Sequence, residues 1–158
     1  MGGEATGKSP VDRGKLGTKR HVLTDQRGAP IGLAVTGANR HDSQAVRSTL
    51  ESIPVRRPTS GTAGEQHLTA DKGYDYPPVR RTLKRRGLAA HIPKRDGQPR
   101  KQRGKRRHKA KRWVVERTHG WTNRYRRLLV RWEKKEANYV ALVHFAFAIN
   151  LYRLLILG

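Results

Sequence analysis

The chain contains no cysteine, which excludes disulfide frameworks, thiolate nucleophiles, cysteine zinc sites and iron–sulfur ligation together. Acids are also scarce: 12 Asp and Glu stand against 35 Lys and Arg in 158 residues, a formal net charge of +23. Apolar residues make up 35% and aromatics 6%, so any core is small for the length. The opening Met-Gly-Gly-Glu-Ala-Thr has no basic stretch leading into an apolar run and no twin arginine, so no secretory signal is readable and the expected compartment is the cytoplasm. What is abundant is positive charge. A surface this basic repels itself unless polyanions neutralise it, which makes nucleic acid the first partner to consider and an anionic membrane the second. The length fits one domain.

The charge is unevenly placed. Residues 1–79 carry 11 basic and 8 acidic side chains, residues 80–135 carry 23 and 3, and residues 136–158 carry one of each. The densest part, Lys94 to Arg112, has two glycines, a proline and almost nothing apolar, so it cannot bury a face and reads as a solvated loop (94–111). Its position between segments that look folded favours a loop that tracks phosphates, through Lys105, Arg106, Arg107 and Arg112, over a dispensable tail.

Around that loop the pattern is mixed. Residues 18–24 and 30–36, separated by Asp25-Gln26-Arg27-Gly28, read as an antiparallel hairpin. Ala45, Val46, Leu50 and Ile53 then keep helical spacing, with Asp42 or Ser43 as the cap. Residues 67–71 read as a buried strand ending in Asp71, residues 77–86 as a helix stopped by Gly87, and residues 88–92 as a strand stopped by Pro93. Trp113, Trp121, Tyr125, Leu128 and Leu129 predict one long helix from Arg112 to about Trp132. Leu142, Phe145, Ile149 and Tyr152 predict a final amphipathic helix, interrupted by His144, Asn150 and Arg153 and so short of a clean membrane span. The order is that of an α/β domain with a C-terminal helical segment over 112–157.

Two of the acids stand in structured settings. Asp71 closes a predicted strand, the edge where sites of α/β sheets assemble, although the residues alone favour a turn or cap role before Lys72-Gly73. Glu116 sits in a basic helix, where a surface salt bridge is the plain alternative. Together they have the character of a carboxylate pair for hard cations. Two such cations about 4 Å apart activate a nucleophile and stabilise a leaving oxygen in phosphodiester chemistry.

Four strings occur in order: Asp12-Arg-Gly-Lys-Leu-Gly-Thr-Lys-Arg-His21, Gly37-Ala-Asn-Arg-His-Asp42, Ala70-Asp-Lys-Gly-Tyr-Asp75 and Arg112-Trp-Val-Val-Glu-Arg117-Thr-His-Gly-Trp121. In these the chain resembles the DDE transposases of bacterial insertion sequences, in the insertion-sequence-5-like branch of the insertion-sequence-4 superfamily, over nearly its whole length. The resemblance implies an RNase H-like mixed sheet with flanking helices, with Asp71 as the second catalytic aspartate, Glu116 as the catalytic glutamate, and both as ligands of Mg²⁺ or Mn²⁺ in a two-metal site. Arg112 accompanies Glu116 in the family string. The family's first aspartate lies on the central strand, before a segment like the one that opens this chain. Asp12 and Asp25 are not its equivalents, so the expectation is a domain lacking that strand, with an incomplete site, inactive alone or completed by the product of an upstream reading frame. The superfamily's Tyr and Lys positions hold Lys109 and Asn123, which are given no role.

The implied partners are transposon-end and target DNA, with a homo-oligomer when complete, no membrane, and a place in the cytoplasm at the nucleoid. Arg117, Arg124, Arg126 and Arg127 are candidate phosphate contacts, and Trp121 and Tyr125 either pack or stack on bases. His41, Asp42 and Tyr74 are candidate supporting residues. The seven histidines show no spacing suited to a metal-dependent phosphohydrolase. The competing expectation is a basic nucleic-acid-binding protein without catalysis, in which both acids are structural.

Overall fold

A computed structural model describes residues 2–58, 64–95 and 113–157. Lys105, Arg106, Arg107 and Arg112 lie outside the described residues. The chain divides into two compact units, one of residues 1–54 with 113–158 and one of residues 55–112. The architecture is mixed α/β, as expected, with the described strands in two sheets, one antiparallel and one parallel.

In the first unit, β1 (Gly7–Lys8), β2 (Leu16–Thr24) and β3 (Pro30–Gly37) form an antiparallel sheet in that order. The β2–β3 pair is the hairpin read from the sequence, in register from Thr18 opposite Gly37 to Leu23 opposite Gly32. Its tip is held by Asp25, whose Oδ1 accepts the backbone N–H groups of Arg27 and Ala29, both at 2.8 Å. The short β1 carries too few residues to show a period.

Alternation along the hairpin puts Val22 and Leu33 on one face and Leu23 and Gly32 on the other. A 3₁₀ turn (Asp42–Ala45) and α1 (Val46–Glu51) cover the Gly32 face. A Cβ at Gly32 would come within 2.8 Å of the Thr49 carbonyl, so this glycine lets the helix backbone lie against the strand. The cap of the 3₁₀ turn is His41, through Nδ1, rather than Asp42 or Ser43: the chain turns one residue early, and Asp42 pairs with Lys19 instead.

The other face carries the core. Leu33 packs with Leu128 and with Tyr139, Val143, Ala146 and Phe147 of α5 (Glu136–Tyr152). The buried stripe of α5 is therefore rotated from the predicted one: Phe145 and Tyr152 are exposed, and Leu142 and Ile149 are half-buried. This helix is apolar nearly all round, so periodicity could not choose its buried side. With the following turn it is long and apolar enough, by length and composition alone, to cross a membrane (Glu136–Leu157, mean hydropathy 1.9), despite His144, Asn150 and Arg153. Its inner side is instead packed on the sheet.

The expected long helix from Arg112 to Trp132 is two helices, α3 (Trp113–Asn123) and α4 (Arg126–Leu129). At the break, Arg124 and Tyr125 donate their N–H groups three residues back, to Trp121 and Thr122, and Tyr125 turns extended. The turn delivers Leu128 to the core and leaves Leu129 exposed.

The second unit contains β4 (Gln66–Thr69), α2 (Pro77–Arg85) and β5 (Leu88–His91), a β-α-β unit with β4 and β5 parallel. Two prolines open α2, and Gly87 at φ +66° closes it. Val79 and Leu83 are its buried residues. Strand β4 is not buried: its residues alternate between half-buried and exposed, because a two-stranded sheet flanked by one described helix has only one face to pack.

Candidate active site

Asp71 lies two residues past the end of β4, at the mouth of a 3₁₀ turn (Lys72–Tyr74). Its Oδ1 accepts the Gly73 N–H at 2.7 Å, so the cap role foreseen as its alternative is real. The side chain is exposed, and Oδ2 has no partner among the described residues. Tyr74 closes the same turn by donating its N–H to the Asp71 carbonyl at 3.2 Å. The carboxylate of Asp75 is fully engaged: it pairs with Arg80 at 2.6 Å and accepts the Arg95 N–H at 3.1 Å, and chiefly the Arg80 hydrogen bond, then the Arg95 N–H, holds its pKa below the usual carboxylate range.

Glu116 belongs to the first unit, in the first turn of α3, where a carboxylate also suits the helix dipole. Val114, Thr118 and Thr122 form the buried line of this helix. Glu116 stands two residues from both Val114 and Thr118, about 200° around the axis, and so faces solvent. In a segment this basic an acid is expected to be ion-paired, yet Glu116 has no hydrogen bond or ion pair among the described residues.

The arginines divide by environment. Arg124 and Arg126 are exposed with side chains unpartnered among the described residues. Arg127 bonds Glu133 at 3.0 Å. Arg117 is held inside the unit: its guanidinium carbon lies 4.9 Å from the Trp113 ring and 4.8 Å from the Trp121 ring, and its Nη2 donates to the Arg27 carbonyl. Trp121 and Tyr125 are half-buried, Trp121 against Arg117 and Tyr125 against the core. Of the supporting candidates, His41 caps a turn and Asp42 pairs with Lys19 at 2.9 Å.

Sequence reasoning missed three arrangements. His67 and His91 are neighbours on β4 and β5, with Nδ1 and Nε2 at 2.8 Å, a pairing that needed the strand register to be seen. Arg20 of β2 bonds Asn123 of α3, joining sheet and helix through a residue given no role. The Trp113, Arg117, Trp121 ladder carried a legible signal, since its members recur every four residues. Burial lowers the pKa of both His21 and His119; nearby Asp42 opposes this at His21, whereas Arg20 adds to it at His119.

As cation ligands, Asp71 and Glu116 offer the right donor type, exposed carboxylates each with an oxygen uncommitted among the described residues, which suits a hard divalent ion. No group of three or more His, Cys, Asp or Glu gathers to hold a metal among the described residues.

The chain matches the family described as the transposase DDE domain over residues 2–151. It is 38% identical over 132 residues to a protein of Burkholderia cepacia assigned to insertion sequence element IS402 as its transposase, a match taking in 82% of this chain and 60% of that protein. It is 38% identical over 74 residues to the transposase for insertion sequence element IS1106 of Neisseria meningitidis serogroup B, covering 47% of this chain and 23% of that one. The chain thus spans under two thirds of the length of these relatives. No solved structure matches it.

Proposed function

The chain belongs to the DDE transposases of insertion sequences, and from that premise we propose that it carries a carboxylate pair, Asp71 and Glu116, for phosphodiester chemistry on DNA within an RNase H-like domain. Water attacks the phosphorus at a transposon end, the bond to the 3′ oxygen breaks, and that oxygen leaves as a 3′-hydroxyl. The hydroxyl then attacks a phosphorus of target DNA, forming the new ester and releasing the target's own 3′ oxygen. Asp71 and Glu116 would hold the divalent cations, Mg²⁺ or Mn²⁺. When bound, such ions supply activation of the attacking oxygen and neutralisation of the leaving one. Arg124 and Arg126 bind the phosphates beside Glu116, joined by Arg112, Lys105, Arg106 and Arg107 of the basic segment. His41, Asp42 and Tyr74 support the two strand-end regions on which the site is built. Cutting two transposon ends in one event calls for a homo-oligomer, and a chromosomal substrate places the work in the cytoplasm at the nucleoid.

The observation that carries the reading is the exposed carboxylate of Glu116, without a partner among the described residues, in the most basic part of the chain. One observation favours the non-enzymatic alternative: Asp71 already serves its turn through Gly73. The two readings part in a nicking assay on supercoiled DNA bearing the element's ends, with Mn²⁺, using the chain joined to a segment that supplies the family's first aspartate. Asp71→Asn and Glu116→Gln are expected to abolish nicking and to leave DNA binding in place. Undiminished nicking by either variant excludes that residue from the site, and absence of nicking by the completed parent protein favours the binding protein.

A further inference from the structure

Two consecutive side chains that follow Glu116 grip two consecutive carbonyls of the hairpin tip. Arg117 donates from Nη2 to the Arg27 carbonyl, and Thr118 donates from Oγ1 to the Gly28 carbonyl at 2.8 Å. The tip is itself stiff, since Asp25 accepts from Arg27 and Ala29 and exchanges backbone bonds with Gly28 and Ala29. Gly28 has φ +91°, a conformation that favours glycine, and a Cβ there would lie 2.9 Å from Arg117 Nη2. The guanidinium carbon of Arg117 lies over the rings of Trp113 and Trp121, from the turns before and after, and its Nε is buried with no hydrogen-bond partner among the described residues.

A guanidinium meets both demands at once, a donor to a carbonyl and a cation over two indole rings, with a planar fork that an ammonium lacks. Fixing residues 117 and 118 to the hairpin fixes the rotation of α3 about its axis and its shift along it. Glu116 precedes them directly, so the direction of its Cα–Cβ bond is set by the same contacts. We propose that Arg117, clamped between Trp113 and Trp121, is a positioning residue that aims Glu116, rather than a phosphate contact. The inference rests on Glu116 being a cation-binding carboxylate.

The test uses the full chain and three readouts: Mn²⁺ affinity by electron paramagnetic resonance, indole emission, and the salt dependence of DNA binding. Arg117→Lys keeps the charge and loses the plane. It is expected to change the emission of Trp113 and Trp121, to weaken Mn²⁺ binding several-fold at temperatures where the variant is still folded, and to leave the salt slope unaltered. A purely structural role would shift the melting temperature and leave Mn²⁺ affinity alone, which overturns the proposal. Arg117→Met distinguishes the phosphate role: a fall of about 0.9 in the log–log salt slope is what one lost phosphate contact gives, and it too overturns the proposal. Glu116→Gln separates the premise from the inference. If that variant binds Mn²⁺ like the parent, the cation reading of Glu116 fails; if it loses binding while Arg117→Lys does not, only the positioning role fails. Should Arg117→Lys not fold, Trp113→Leu removes one side of the stack and is expected to give the same, smaller loss of Mn²⁺ affinity, with retained affinity overturning the role.

Discussion

The hydroxyl of Thr118 donates to the carbonyl oxygen of Gly28 at 2.8 Å, across ninety residues of sequence, and both residues are buried. It also lies 3.2 Å from the Val114 carbonyl of its own helix. Thr118→Val keeps the shape and strands the Gly28 carbonyl without a donor. The expected loss is about 1–3 kcal/mol, the penalty of a buried unsatisfied group. Thr118→Ser retains the donor and is expected to stay much closer to the parent. Denaturant unfolding of the two variants checks this; equal losses would show that packing of the methyl, not the hydrogen bond, dominates.

Asp75 predicts an acid limb for the second unit. Its folded-state pKa lies below the ordinary carboxylate value because it accepts hydrogen bonds from Arg80 and Arg95. A depressed carboxylate contributes stability that is present above its unfolded pKa of about 3.9 and is lost as pH falls through the lower folded value. Asp75→Asn is expected to remove this dependence below about pH 4 and to lower stability at neutral pH. Hydrogen exchange of the α2 and β5 amides against pH measures it, and an unchanged acid profile in the variant counts against the assignment.

What could be read in advance depended on how local the determinants were. The hairpin, α2 and β5 announce themselves through turn residues and stops that act within a few positions, Asp25 to Gly28, Pro77 and Gly87. The buried side of α5 did not, because a helix apolar all round is told which way to face by Leu128 and by Leu33, the latter far away in sequence. The break at Arg124 has the same origin, since Leu128 must leave the line of α3 to reach that core. At the candidate site, the family strings identify Asp71 and Glu116 by residue type. They could not disclose that Arg117 is drawn inward, because that depends on the hairpin tip arriving at α3.

His21 predicts a second pH effect, in the first unit. It is buried, its Nε2 is 2.8 Å from Thr36 Oγ1, and burial lowers its pKa against the partial opposition of Asp42 and with a small further push from Lys19. A histidine whose folded pKa is lowered binds protons more readily when unfolded. Its contribution is therefore full above the unfolded value of about 6.5 and declines as pH drops from there toward the folded pKa. His119 adds to the same limb. His21→Gln is expected to flatten part of the decline below about pH 6.5, and the further change His119→Gln to flatten more. Thermal melting between neutral and mildly acidic pH gives the answer, and an unchanged slope in the double variant would refute the assignment.

DNA binding separates the arginines of α3 and α4 by what already occupies them. Arg124 and Arg126 are exposed and unpartnered among the described residues, so each has its full fork of donors for a phosphate. Arg127 must first leave Glu133, whose side chain is only 8% exposed and would be stranded. Replacing Arg124 and Arg126 together with alanine is expected to weaken binding across sequences and to reduce the log–log salt slope by about 1.8, roughly 0.9 for each lost contact. Replacing Arg127 is expected to change the slope less and the stability more. Binding titrations at several salt concentrations, paired with unfolding curves, distinguish the two outcomes. If Arg127→Ala lowers the slope as much as either neighbour without loss of stability, the ion pair with Glu133 does not hold that side chain back from DNA.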